Sequence, residues 1–280
     1  MTMNDTNEKR EVTASRAFKE KLFRPFTKAI VEFDMIHPYD KIAVCISGGK
    51  DSMLMAKLFQ ELKRHDKFPF ELAFIVMDPG YNEENRRMIE DNAEKLGIPI
   101  EIFDTRIFDA VYKIDKSPCY LCARMRRGWL YKYARELGCN KIALGHHYDD
   151  VIETNLMGLL WGGQIQTMMP KLKSQNYEGM ELIRPMYYVR EKDIENWRDR
   201  NCLTFLRCAC RFTEACEDDS SSKRLETKLL IRELKKTNPR VEANIFNSMR
   251  NVNIDTVLAY KQHGEVHRFT DDYDERGEEV

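Results

Sequence analysis

Short apolar runs recur along this chain, and the stretches between them have a helical period, from residue 41 to residue 184. The first run, Lys41-Ile-Ala-Val-Cys-Ile46, has no polar residue inside it, as a strand buried on both faces requires. Runs at 71–77, 98–103, 141–144 and about 180–184 bring the expected strands to five. Between them, residues 53–66, about 83–96 (closed by Gly97), the stretch from Cys122 to about 137 and the stretch after Asp150 show helical spacing. Strands alternating with helices predict an α/β fold with a doubly wound, mostly parallel five-stranded sheet. An amphipathic helix over about 16–37 leads in, and two helices, about 223–237 and 240–251, follow. Residues 158–176 are long and irregular, as loops over active sites often are.

These boundaries divide the chain into a disordered N-terminus (1–18), an α/β domain (19–200), a cysteine-bearing extension with packed helices (201–255) and an acidic tail (256–280). With 32% charged and 42% hydrophobic residues, the composition suits a globular protein. No apolar run is long enough to span a membrane, and no secretory core is visible, so the chain reads as cytoplasmic. The net charge of −1 hides an asymmetry. Residues 271–280 carry six acids and one arginine, leaving +4 on the remaining 270 residues, a balance that permits RNA binding.

Ser47-Gly48-Gly49-Lys50-Asp51-Ser52 follows the first strand and opens a helix. Two glycines allow a tight turn that aims main-chain N–H groups and the helix N-terminus at one anion. Ser47 and Ser52 add hydroxyls, and Lys50 adds a cation. Asp51 beside a phosphate makes sense if it holds a metal ion or fixes the loop from behind. The G-x-x-x-x-G-K-[ST] spacing of a Walker loop is absent. Placement at the carboxyl end of a strand, where open α/β sheets bind ligands, favours a polyphosphate site over a plain polar turn.

Eight cysteines in a cytoplasmic chain argue against a disulfide framework. Cys45, Cys139 and Cys202 read as structural. Cys119-x-x-Cys122 and Cys208-x-Cys210-x5-Cys216 form two groups able to hold zinc or an iron–sulfur cluster. Arg124, Arg126 and Arg127 follow the first group. They place cations beside the thiols, which suits an anionic substrate.

Residues 47–52 resemble the phosphate loop (PP-loop) of the ATP pyrophosphatases, which split ATP to AMP and pyrophosphate while adenylating a substrate. Cys119-x-x-Cys122-x-Arg-x-Arg-Arg127, Leu144-Gly-His-His-Tyr-Asp-Asp150, Met168-Met-Pro-Lys-Leu172, Ile183-Arg-Pro185 and Arg190-Glu-Lys-Asp-Ile194 extend the likeness. Together they resemble the tRNA 2-thiocytidine synthetases over roughly residues 20–255. That resemblance implies ATP, magnesium and a 4Fe-4S cluster as cofactors, with Cys119, Cys122 and Cys208 as cluster ligands. The family's second cysteine pair is usually C-x-x-C, so Cys208-x-Cys210 with Cys216 departs from it. Cys210 and Cys216 stay in contention for the third ligand.

In the implied reaction the C2 oxygen of a cytidine attacks the α-phosphorus, and sulfur then displaces AMP. Ser47, Gly48, Gly49 and Ser52 would bind the leaving pyrophosphate, and Lys50 would neutralise it. Asp51, Asp149 or Asp150 would meet magnesium or act in acid–base steps, with Arg126 at the reacting centre. Gly145, His146 and His147 stand beside the nucleotide. Asp78 meets the ribose or forms the turn. Arg124, Arg126, Arg127, Lys171, Lys173 and Arg184 are candidates for RNA phosphates, and Tyr187, Tyr188 or Trp161 for stacking on a base. Expected partners are tRNA and a sulfur donor such as a cysteine desulfurase, and a homodimer stays open. The rival readings are a 2-thiouridine synthetase, an adenylating enzyme for a small acid with structural zinc, and a non-catalytic metal sensor.

Overall fold

Six strands, not five, form the central sheet. A computed structural model describes residues 12–13, 15–105, 107–108, 118–206, 223–271 and 273. The strands are β1 (Lys41–Ile46), β2 (Glu71–Asp78), β3 (Ile100–Asp104), β4 (Lys141–Ala143), β5 (Lys171–Lys173) and β6 (Glu181–Ile183). They lie in the order β3-β2-β1-β4-β6-β5, parallel except for β5, which runs against β6. The five expected strands are all present. The sixth is three residues, Lys-Leu-Lys, directly after Pro170, too short and too polar to show a strand period. Pairing with β6, rather than its own pattern, makes it a strand.

Period-two alternation splits β1 between two cores. Ile42, Val44 and Ile46 face one, and Ala43 and Cys45 face the other. A helical lead-in (a turn at Arg16–Phe18, a π-helical stretch at Lys19–Phe23, then α1 at Arg24–Glu32) covers the first face through Phe18, Leu22 and Phe26. It stops before residue 37 because Asp34 turns left-handed, with φ of 49°. On the same side lie α2 (Lys50–Arg64) and α3 (Glu83–Leu96), which contribute Met53, Phe59 and Ile89. The opposite face is covered by α4 (Pro118–Glu136) through Tyr131 and Ala134. Cys139 is buried in that second core beside Cys45. Cys202 corrects the structural reading given to it: it is exposed, on a left-handed turn (φ 50°) just after residue 200.

The remaining helices are α5 (Tyr148–Gly162), α6 (Glu191–Arg200), α7 (Lys223–Thr237) and α8 (Val241–Ser248). The last two pack back on α5, with Phe246 stacked on Tyr148 at 4.5 Å and Ile231 in the core. A two-stranded hairpin, β7 (Ala259–Gln262) and β8 (Glu265–Arg268), occupies part of the expected acidic tail. Among the described residues no helix is long and apolar enough to cross a membrane.

The order fixes where a ligand can bind. β1 leads to β2 on one side, whereas β4, on the other side of β1, is followed outward by β6. The loops leaving β1 and β4 therefore face each other at the point where the strand order reverses, the ligand crevice of open α/β sheets.

Candidate active site

Residues 47–49 make the whole turn from β1 to α2. Gly48 has φ of +83°, and a Cβ there would stand 2.6 Å from Ile89 Cγ1 and 2.8 Å from Leu206 Cδ1. Only glycine fits both the conformation and the space. Its carbonyl accepts from the Leu206 amide at 3.3 Å. Ser52 closes the loop from inside: its Oγ accepts from the Ser47 amide (3.1 Å), lies 3.2 Å from Ser47 Oγ and donates to the Gly49 carbonyl (3.0 Å). The start of α2 has no side-chain cap, which leaves its first-turn N–H groups to an outside anion.

The β4–α5 loop packs directly on this turn. A Cβ on Gly145 would lie 3.2 Å from the Ser52 amide nitrogen and 3.3 Å from the Asp51 carbonyl carbon. His147 caps α5 reciprocally with Asp150: the His147 amide donates to Asp150 Oδ2 (3.0 Å), and the Asp150 amide donates to His147 Nδ1 (3.4 Å). Asp150 Oδ1 also accepts from Arg224 at 2.8 Å. Asp149 is occupied on both oxygens, by Arg190 (3.0 Å) and by the Glu191 amide (2.7 Å), so it caps α6. Asp78 forms the turn after β2, accepting from the Gly80 and Tyr81 amides at 2.8 and 2.7 Å, while Arg86 pairs with its other oxygen at 3.0 Å.

Two groups are left over. Asp51 Oδ1 is buried and lacks a hydrogen bond; Lys50 Nζ is an ion-pair contact at 3.2 Å and His147 Nε2 stands at 3.8 Å. His146 Nδ1 is also buried without a partner, and burial, helped by the Arg184 charge, lowers the His146 pKa to about 4. His146 is therefore neutral at pH 7.

Lys50 sits between Asp51 and Glu191, 3.4 Å from Glu191 Oε1. Burial works against its charge, but the two carboxylates more than offset this and hold its pKa above the ordinary value. The other oxygen of Glu191 pairs with Lys228 of α7. Burial likewise raises Glu153, beside Arg224 and Asp150, to about 7.

A cleft of about 380 Å³ joins the two loops to α4, lined by Ser47, Asp51, Arg126, Arg127, Gly145 and His146 among others. Arg126 Nη2 lies 3.5 Å from Tyr81 Oη, which lies 3.5 Å from the Ser47 carbonyl. Cys122, one turn before Arg126, is half-buried against the small apolar cluster of Met77 and Ile107. The Cys119 side chain, Cys208, Cys210 and Cys216 lie outside the described residues. Among the described residues no three His, Cys, Asp or Glu side chains converge on one ion. Arg124 is exposed, as is Lys173, whereas Arg184 is buried with an unpartnered Nε; burial and then Arg127 lower its pKa to about 10. Lys171 bridges Asp34 and Glu181. Tyr187 is in the core, Tyr188 stacks on Phe33, and Trp161 is exposed.

The residues that sequence reasoning left without a role are Glu191, Tyr81, Arg224 and Lys228. Glu191 stood inside the Arg190–Ile194 motif but looked like an ordinary acid in the first turn of a helix.

Residues 17–210 match the PP-loop domain family. A tRNA-cytidine(32) 2-sulfurtransferase of Paraburkholderia xenovorans is 35% identical over 251 residues, covering 88% of this chain and 72% of that one. The protein of that name from Alkalilimnicola ehrlichii is 36% identical over 230 residues, covering 80% and 70%. Among solved structures, the U34-tRNA thiolase NcsA of Methanococcus maripaludis, with its 4Fe-4S cluster, superposes with a TM-score of 0.65. It is 23% identical, with 84% of this chain and 78% of that one covered, a likeness of fold.

Proposed function

Because the chain belongs to the tRNA-cytidine 2-sulfurtransferase family of PP-loop proteins, we propose that it is an ATP-dependent tRNA thiolation enzyme that replaces the C2 oxygen of a cytidine with sulfur. The position named for its relatives, 32, is the first to test. The observation that carries the reading is the shared cleft, which joins the phosphate loop to Arg126 and Arg127, one turn beyond the Cys-x-x-Cys pair.

The chemistry follows from those groups. Oxide is a poor leaving group, so the C2 oxygen first attacks the α-phosphorus of ATP and pyrophosphate departs. The free N–H groups of α2 and Lys50 take up the charge growing on pyrophosphate, a kind of preorganised donor worth about 3 kcal/mol per contact. Arg126, held through Tyr81 to the Ser47 carbonyl, faces the phosphoryl group. A sulfur nucleophile then adds to C2, and AMP leaves with the former C2 oxygen. Neutral His146 offers its unpartnered nitrogen to the base or the adenylate.

The orphaned Asp51 Oδ1 fits a magnesium ion, which would screen the phosphates. Asp149 and Asp150 serve by holding α5 and α6 in place, and Gly145 by letting the loops touch. Asp78 holds the turn that presents Tyr81.

Half-buried Cys122 beside the cleft fits one thiolate ligand of a 4Fe-4S cluster. Cys119, Cys122 and Cys208 would hold it, and when bound it supplies the sulfur for C2. A cysteine desulfurase is the chemical type of partner able to renew the sulfur, and a homodimer is testable by sedimentation.

The test is oxygen-free purification followed by metal and sulfide analysis, then nucleoside mass spectrometry of tRNA incubated with ATP. About four irons and four sulfides per chain, with 2-thiocytidine formed as AMP and pyrophosphate appear, is the expected result. Stoichiometric zinc without iron, or AMP release with no thiolated nucleoside, overturns it.

A further inference from the structure

Glu191 is shared between two lysines. Its Oε1 lies 3.4 Å from Lys50 Nζ and its Oε2 pairs with Lys228 Nζ, and all three side chains are at most 30% exposed. Burial of this order makes an unpaired charge costly. Lys50 must turn to a phosphate when ATP enters, and Glu191 competes for the same ammonium. If Lys50 were its only cation, ATP binding would strand a half-buried carboxylate.

We propose that Lys228 is a positioning residue for the ATP site: it holds Glu191 as a replacement counter-ion, so that Lys50 is released to the nucleotide phosphates. Lys228 is the stronger partner already. Burial disfavours the ionised Glu191, and Lys228, ahead of Lys50, brings its pKa below the ordinary value. Asp51, the other carboxylate on Lys50, keeps one oxygen without a hydrogen bond and, among the described residues, pairs with no second lysine or arginine, consistent with its going to a cation that arrives with ATP. Lys228 is on α7, and Arg224, one turn earlier, pairs with Asp150, so the helix is seated at two points on the site. The inference rests on the reading of the loop as an ATP site and adds a residue that touches no phosphate.

The experiment is calorimetric titration of the full-length protein with an ATP analogue bearing a methylene between the α- and β-phosphorus. Lys228→Met is expected to weaken binding about tenfold, because Glu191 then retains Lys50 and the competent fraction falls. Glu191→Gln alone binds at least as tightly as wild type. Lys228→Met/Glu191→Gln returns to within about twofold of wild type. Lys228→Arg restores binding.

A merely structural Lys228 gives the opposite double-variant result, since losing Glu191 as well would loosen α7 further. An unchanged Kd for Lys228→Met, or a double variant weaker than Lys228→Met, overturns the proposal. If Lys228→Met fails to fold by circular dichroism, Glu191→Gln decides, and weaker binding there also overturns it. No binding by the wild-type protein overturns the ATP reading itself and takes this proposal with it.

Discussion

The phosphate loop and the charged layer beside it are built in different ways. On the phosphate-loop side the shape is made by the backbone: Gly48 at positive φ, Ser52 bonded within its own loop, Gly145 pressed on the start of α2. In the layer that joins α5, α6 and α7 a set of carboxylates, Asp149, Asp150, Glu153 and Glu191, is balanced by Arg190, Arg224 and Lys228. The backbone side leaves no room for an added atom at Gly48 and little at Gly145. The side-chain side is a balance of charges, and each member can be traded against another. Substitutions should therefore act abruptly on the first and by degrees on the second.

Gly48→Ala is the strongest test of that contrast. A Cβ 2.6 Å from Ile89 Cγ1 forces that buried side chain to move, and Leu206 Cδ1 at 2.8 Å must move with it. Left-handed strain and overpacking together should cost about 3 kcal/mol of stability. Displaced loop donors should lower AMP formation about a hundredfold or more. Denaturant midpoints and AMP release on the same preparation measure both, and an alanine variant within threefold of wild type would refute the rigid-loop account. Gly145→Ala meets softer limits, 3.2 and 3.3 Å from the backbone of Ser52 and Asp51. Its cost should be about 1–2 kcal/mol, with AMP formation down about tenfold.

The same contrast decides what could be read from the sequence. Alternating apolar runs gave away five strands and the crevice, because strands buried on both faces need uninterrupted apolar residues. The phosphate loop was legible because its parts are contiguous and its glycines have a conformational reason. β5 was not, since three polar-flanked residues become a strand only through β6. Asp149 and Asp150 invited a catalytic role by standing next to the loop, yet their oxygens are taken by helix caps and arginines. Glu191 stands 141 residues from Lys50, and nothing local marks the pair. Cys202 looked like its buried neighbours in type, but its place after α6 exposes it.

On the charge-balanced side, Arg224→Ala should be graded. Its side chain is 47% exposed, so solvent screens part of the interaction with Asp150 and Glu153. A loss of about 1 kcal/mol is expected. Half-maximal AMP formation should need more ATP, with kcat nearly unchanged, because the arginine touches neither loop nor nucleotide. A fall in kcat without a change in KM would instead put Arg224 at the reacting centre.

Glu153→Gln is the smallest change in structure, and the size of its effect depends on pH. Burial raises the Glu153 pKa from 4.5 to about 7, so between those values the folded protein binds the proton that the unfolded chain has released. Stability from this group is therefore complete below pH 4.5 and is lost as pH rises through about 7. His146 has the opposite sign: its folded pKa of about 4 lies below the ordinary 6.5, so its contribution is present above 6.5 and lost as pH falls through 4. In the wild-type protein the two slopes oppose each other where their windows overlap. Glutamine cannot titrate, so the variant should gain nothing at pH 4.5 and about 1–2 kcal/mol at pH 8 relative to wild type. Taking the difference between variant and wild type cancels the groups they share, which isolates this one carboxyl. Urea denaturation at pH 4.5, 6 and 8 gives that difference directly. Parallel curves at all three values would mean that Arg224 holds Glu153 ionised throughout, and the charged layer would then carry one more fixed negative charge for its cations to balance.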